Sequence, residues 1–281
     1  MMELQGIQLL PNHQAFVNRF VNACEADDRI VAAFLGGSNV KGYADQYSDI
    51  DVCVITADNE YQDFYKQRES FLQSLGELVF LEDFEIPDIA FFIFADGTEG
   101  ELYFGSESHL DHIHSGPFRV LLDKKNILAN AVLPDGNADA SHQLEELRRN
   151  IYWFWHEMSH FITAMGRGKL WWARGQLDEL RSKCVNLARL QNDFSDQGVG
   201  EEPYFKIEYA MPVEKLAPLD RTFCPMEKNA MLQSVQIIVG FYAEFAQPLS
   251  QAHGIPYPHG LERVMLQRLA NLQNNDGLIS P

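Results

Sequence analysis

Leu35-Gly36-Gly37-Ser38-Asn39-Val40-Lys41-Gly42-Tyr43-Ala44-Asp45-Gln46-Tyr47-Ser48-Asp49-Ile50-Asp51-Val52-Cys53-Val54-Ile55 is the stretch that decides how this chain reads. The apolar run Ile30 to Leu35 feeds into Gly-Gly-Ser and predicts a buried strand. A short helical stretch follows, and Asp49-Ile50-Asp51 opens a second apolar strand. Two glycines let a phosphate approach the backbone, and a helix beginning at Ser38 offers free N–H groups to an anion. Side chains alternate along a strand, so Asp49 and Asp51 point to one face. Adjacent carboxylates repel each other without a cation. Together they suit Mg²⁺, a hard ion that prefers oxygen ligands and commonly shares them with substrate phosphates.

This segment resembles the signature of the DNA polymerase β-like nucleotidyltransferase superfamily, in which Gly-Ser, a spacer of about ten residues and D-x-D follow one another. The surrounding Tyr47-Ser48-Asp49-Ile50-Asp51-Val52 resembles the branch that modifies aminoglycoside and lincosamide antibiotics. The resemblance implies a third carboxylate that starts a strand after a short Gly-containing turn. Glu101, after Asp96-Gly97-Thr98-Glu99-Gly100, stands at that position, with Asp88 as a nearby rival. Gly116 to Lys124 and Trp153 to Leu180 also resemble segments of aminoglycoside adenylyltransferases, so the likeness spans about residues 30–190. Two residues depart from the pattern: Glu101 where many members have Asp, and Asn39 where Arg or Ala is common.

What the resemblance implies is a two-metal displacement at the α-phosphate of a nucleoside triphosphate, with ATP the expected donor. Asp49, Asp51 and Glu101 would be the metal ligands and catalytic carboxylates, Glu101 sharing a second Mg²⁺ or taking the proton from the acceptor hydroxyl. Gly37 and Ser38 would bind the β- and γ-phosphates. A nucleoside monophosphate, AMP in the simplest case, passes to a small hydroxyl compound of aminoglycoside or lincosamide type, and pyrophosphate leaves. The nucleotide is expected between the two domains, and Lys169 and Lys183 are candidate triphosphate contacts, against the alternative of solvated helix residues. Two other readings keep the fold: a silent nucleotide-binding module, and an enzyme that nucleotidylates protein or tRNA.

Outward from this stretch, residues 12–26 show helical spacing with Asn12 as a candidate N-cap. Residues 59–75 predict a helix ending at Gly76, and Glu77–Leu81, Ile89–Phe94, Glu101–Phe104 and Arg119–Leu122 predict strands. The turn formers Pro134-Asp135-Gly136-Asn137 mark a change of character. Beyond them, helices are expected over 141–166, 170–194, 226–253 and 259–274, the third interrupted at Pro248, with 195–225 as a long connection. The expected architecture is therefore α+β: a mixed β-sheet nucleotidyltransferase domain with flanking helices over residues 1–133, then an all-α bundle on the acceptor side over 138–281.

One motif matches a pattern from other chemistry. His156-Glu157-Met158-Ser159-His160 is H-E-x-x-H, with histidines at i and i+4 on one helical face, the spacing of zinc metalloproteases. Glu179 is the residue imaginable as a third ligand. The competing reading is a packing helix, since Trp153, Phe154, Trp155, Phe161 and Ile162 crowd the same segment, with His156 or Glu157 contacting the acceptor. Trp153, Trp155, Trp171 and Trp172 read first as core, with one or two bordering an acceptor pocket. His109, His112 and His114 match no standard metal spacing.

The formal charge is −18 and is uneven: residues 1–130 hold 22 acidic against 8 basic side chains, the remainder 18 against 14. No basic stripe is present, so nucleic-acid binding is not expected, whereas a cationic small molecule is attracted. Acidity that merely keeps the protein soluble is the alternative. No apolar run reaches the roughly 18 residues of a membrane span, and no signal peptide is evident. Cys24, Cys53, Cys184 and Cys224 are scattered without a C-x-x-C pair, which makes a reducing cytoplasm the expected compartment. A monomer and a homodimer fit equally well.

Overall fold

Ile30–Leu35 is buried at every residue and forms β1, the second-to-last strand of a six-stranded mixed sheet. The computed structural model describes residues 9–112, 116–129, 131, 133, 139–196, 198–200 and 202–275. The chain divides into two compact units, Met1–Gly136 and Asn137–Pro281. The turn cluster Pro134-Asp135-Gly136-Asn137 lies outside the described residues.

In the first unit the helix α1 (Pro11–Ala26) precedes β1. The residue outside its start is Leu10, not Asn12, because Pro11 takes the first helical position, where its fixed φ and missing N–H cost nothing. After β1 come α2 (Gly37–Lys41), β2 (Ile50–Thr56), a 3₁₀ turn and α3 (Tyr61–Gln73). Then follow β3 (Leu78–Glu82), β4 (Ile89–Phe94), β5 (Glu99–Ser106) and β6 (Arg119–Asp123). The strands lie in the order β3-β4-β5-β2-β1-β6, antiparallel except for the central β2–β5 pair.

Alternation along the strands sorts the residues into two layers. Val52 and Val54 of β2 and Leu102 and Phe104 of β5 join Phe16, Val17 and Phe20 of α1 and Phe64, Phe71 and Leu72 of α3 in one core. Cys53 and Ile55 belong to a smaller cluster on the opposite face, against which Tyr103 and Phe118 pack. The Leu122-Asp123-Lys124 segment ties this unit together. Asp123 accepts hydrogen bonds from Ile127 N–H at 2.9 Å and Leu128 N–H at 2.8 Å. Lys124 Nζ donates to the carbonyls of Cys24 and Asp27, both at 2.9 Å, at the end of α1.

The second unit is helical: α4 (Ala140–Gly166), α5 (Leu170–Asn192), α6 (Ile207–Ala210), α7 (Val213–Asp220), α8 (Lys228–Ala252) and α9 (His259–Asn275). Asp139 caps α4 by accepting from Ser141 N–H at 2.9 Å. Phe154 stacks on Tyr242 of α8 with ring centroids 3.8 Å apart, and the Tyr242 hydroxyl donates to the Ile151 carbonyl at 2.8 Å. Pro248 does not interrupt α8, because Phe245 and Leu249 on either side stay buried in the bundle core. The connection 195–225 carries α6 and α7 and is held by two buried guanidinium groups of α5. Arg181 donates to Thr222 Oγ1 at 2.7 Å, and Arg189 donates to both carboxylate oxygens of Asp196 at 2.9 Å and to the Pro203 carbonyl at 2.8 Å. No described helix is long and apolar enough to cross a membrane.

Candidate active site

The Gly-Gly-Ser and D-x-D elements meet at the start of the central parallel strand pair. After α2, Gly42 closes the helix at φ +81°. A turn held by Asp45 follows, its Oδ1 accepting from Tyr47 N–H at 2.9 Å and its carbonyl from Ser48 N–H at 3.0 Å. The chain then enters β2 with Asp49 exposed just before the strand and Asp51 half-buried within it. Gly36 N–H donates to the Asp51 carbonyl at 2.9 Å and clamps the end of β1 to the start of β2.

Parallel register sets Asp51 of β2 directly beside Glu101 of β5. Both sit on the Cys53 and Tyr103 face, away from α1 and α3. Glu101 is the third residue of its strand, not the first, because the β4–β5 turn closes earlier: Gly97 N–H reaches the Phe94 carbonyl at 2.9 Å, and β5 begins at Glu99. The close approach of the two strands depends on Gly100, where a Cβ would fall 2.2 Å from the Ile50 carbonyl oxygen. The rival Asp88 is not in this group. It lies before β4 at φ +64°, accepts a short hydrogen bond from the Tyr61 hydroxyl, and lines a separate cavity of about 500 Å³ with Asp58, Ser106 and His109.

Gly37 has φ +61°, and its Cα faces the Asp51 carboxylate so closely that a Cβ would lie 1.5 Å from Oδ2. Only glycine satisfies both the backbone and this contact. Next to it, the Ser38 hydroxyl oxygen is buried with no hydrogen-bond partner among the described residues. A buried hydroxyl without a partner is costly and suits a site that awaits a polar ligand.

Three residues that sequence reasoning passed over support the carboxylates. Asn39, noted only as a departure, is buried and donates from Nδ2 to the Asp49 carbonyl at 3.0 Å. Its Oδ1 accepts from Nδ1 of buried His13 on α1 at 3.0 Å, which places a proton on Nδ1. The amide thus pins the backbone that carries Asp49. Tyr103, two residues beyond Glu101 on the same face, donates a short hydrogen bond to Glu101 Oε2. Burial pushes the Tyr103 hydroxyl well up, aided by that bond and by the negative charge of Glu101, Asp51 and Asp49. The phenol therefore stays protonated and keeps donating across the neutral range. Period-two spacing from Glu101 was the available signal for Tyr103. Nothing local linked His13 to residue 39.

The residues present fit a hard divalent cation and a triphosphate. Asp51 and Glu101 supply oxygen donors side by side, Asp51 against a backbone with no Cβ, and a buried unpartnered hydroxyl stands near them; Asp49, exposed just before β2, is not gathered within ligand distance of both. In the second unit, Lys183 pairs with Glu179 at 3.6 Å beside a cavity of about 540 Å³ that Glu146 and Arg149 also line. Lys169 sits exposed just before α5. Of the four tryptophans only Trp155 is core. Trp153, Trp171 and Trp172 are exposed, Trp171 by 83%, since they lie on the outward side of α4 and at the first turn of α5. His109 Nδ1 contacts the hydroxyls of Ser106 and Ser108, while the side chains of His112 and His114 lie outside the described residues. All four cysteines are free thiols.

Among proteins of curated function none matches this chain. An aminoglycoside 6-adenyltransferase from Bacillus subtilis is similar in structure at a TM-score of 0.41 and 16% identity, covering 94% of this chain and 99% of that one. Residues 11–271 match the model of the streptomycin adenylyltransferase family, which takes in both units, and the chain belongs to that nucleotidyltransferase family.

Proposed function

We propose that this protein transfers AMP from ATP to a hydroxyl of an aminoglycoside, with streptomycin the first acceptor to test, and that Asp49, Asp51 and Glu101 carry the reaction. The observation that supports this most strongly is the pairing of Asp51 with Glu101 across two parallel strands, with Gly37 packed on the Asp51 carboxylate. Asp49, Asp51 and Glu101 would hold magnesium, which when bound neutralises the triphosphate and polarises its α-phosphorus. Gly37 lets phosphate oxygens come close to the backbone, and the Ser38 hydroxyl gains the partner it lacks. Glu101 accepts the proton of the acceptor hydroxyl as that oxygen attacks, and pyrophosphate leaves. Tyr103 is a positioning residue: its hydroxyl holds one Glu101 oxygen so that the other stays free for the acceptor proton. Its ring packs in the cluster behind the site and fixes the rotamer.

The first unit carries the catalytic groups, and the helical unit serves the acceptor. A polycationic acceptor is drawn to a strongly acidic chain, and the exposed indole of Trp171 offers an apolar face to a sugar ring. Pyrophosphate release from ATP with Mg²⁺, measured against streptomycin, other aminoglycosides and a lincosamide, tests the assignment. Release dependent on an aminoglycoside supports it. Release with the lincosamide alone moves the acceptor class, and no release with any acceptor refutes small-molecule transfer.

A further inference from the structure

Helix α4 carries a cluster to which the proposed transfer assigns no role. His156, Glu157 and His160 each offer one ligand atom, and these atoms lie within 4.8 Å of one another. Glu157 is only 8% exposed, and among the described residues its ion-pair partners are the two imidazoles. His156 Nδ1 stands 3.1 Å from Glu157 Oε1, and His160 Nδ1 stands 3.5 Å from Oε2. The two rings are 4.5 Å apart, centroid to centroid. Two donors each about 2.1 Å from one tetrahedral ion are themselves about 3.4 Å apart. The two Glu157–imidazole separations, 3.1 and 3.5 Å, bracket that value, and no pair of the three ligand atoms exceeds 4.8 Å, so small side-chain adjustments bring all three onto one cation.

We propose that His156, Glu157 and His160 form a site for a divalent transition-metal ion of the zinc class. Two imidazoles and one carboxylate suit zinc, nickel or copper, whereas magnesium selects oxygen donors such as Asp49 and Asp51. The histidine side chains are 54% and 43% exposed, so water completes the coordination from the open side. Peptidase chemistry does not follow. In that mechanism the glutamate of H-E-x-x-H is a base, not a ligand, whereas Glu157 lies between the histidines as a third donor. Glu179, the third ligand imaginable from sequence, is instead paired with Lys183 on α5. Trp153 stands 5.1 Å from His156 and Trp172 stands 6.1 Å from His160, which gives the site an optical reporter.

The test uses the full-length untagged chain, stripped with chelator and held in millimolar Mg²⁺, which competes with zinc at the carboxylates of the first unit. Zinc chloride is titrated by calorimetry and copper(II) by tryptophan emission. The expected result is one zinc per chain, with affinity at least about tenfold weaker in His156→Asn/His160→Asn and copper quenching lost with it. Both side chains are half-exposed, so the variant should keep the circular dichroism of the parent. The copper complex of the unaltered protein reads the same site without a substitution, since two bound imidazoles split its electron paramagnetic resonance by nitrogen coupling. Unchanged zinc affinity and stoichiometry in the variant, or a copper spectrum of oxygen ligation alone, would overturn the proposal.

Discussion

Replacing Gly37 by alanine separates the contact at the centre of the candidate site from ordinary backbone strain. At φ +61° an alanine pays the left-handed penalty of about 1–2 kcal/mol. It also meets Asp51: the new Cβ would lie 1.5 Å from Oδ2, and relief to a contact distance of about 3.5 Å moves the carboxylate by roughly 2 Å. A misplacement of about 1 Å in a reacting group can cost a hundredfold. The variant should therefore lose at least about 100-fold in kcat/KM for transfer, or roughly 2.7 kcal/mol of transition-state stabilisation. Gly42→Ala and Gly97→Ala are the controls. Both positions have φ above +80°, and a Cβ at either meets nothing within 4 Å. They should melt lower by roughly 2–8 °C from the backbone term alone, with transfer near the parent level. The assay is pyrophosphate release below the melting transition, with thermal denaturation alongside. Transfer by Gly37→Ala equal to that of the two controls would refute the reasoning.

Three further outcomes follow from the same geometry. Tyr103→Phe removes the donor to Glu101 and should lower kcat about tenfold with KM for ATP unchanged; a rise in KM with kcat intact would mean that Tyr103 contacts nucleotide instead. Asn39→Ala leaves the buried His13 ring and the part-buried Asp49 carbonyl without this amide, and should cost about 1–3 kcal/mol in denaturant unfolding together with transfer activity; full activity at reduced stability would detach the amide from the site. Tyr61, Tyr103 and Tyr242 have hydroxyls pushed up chiefly by burial, so the folded chain keeps protons that the unfolded chain releases near pH 10. Stability is then complete below about pH 10 and declines as pH rises beyond it, and a flat urea midpoint from pH 9 to 11 would contradict this.

The α+β architecture was legible because its signals are local. Ile30–Leu35 is apolar at each position, Gly36-Gly37 ends it, and the period of two from Asp49 runs through the apolar Val52–Ile55. The helical half announced itself by a period of 3.6 over long segments such as α4 and α5. Misplaced boundaries came from weighing one residue against its neighbours: Asn12 is a good cap, but Pro11 pre-empts it, and Pro248 breaks helices elsewhere but is outweighed here by buried Phe245 and Leu249. The candidate site was legible in part. Gly-Ser and D-x-D are contiguous, and the physics of phosphate and metal ligation points at them. The placement of Glu101 beside Asp51 depends on β5 joining β2 in parallel, which residues 50 positions apart do not declare. The His13–Asn39 bond spans 26 residues and joins two polar groups inside a core, a pairing for which composition gives no warning.

Asp51→Asn tests most directly whether the carboxylates beside Gly37 carry adenylyl transfer. The substitution keeps the shape of the side chain and removes its charge. Pyrophosphate release with Mg²⁺, ATP and the aminoglycoside that the parent accepts should fall by at least about 1,000-fold, roughly 4 kcal/mol, while the melting temperature stays within a few degrees of the parent. Transfer within tenfold of the parent would contradict the account.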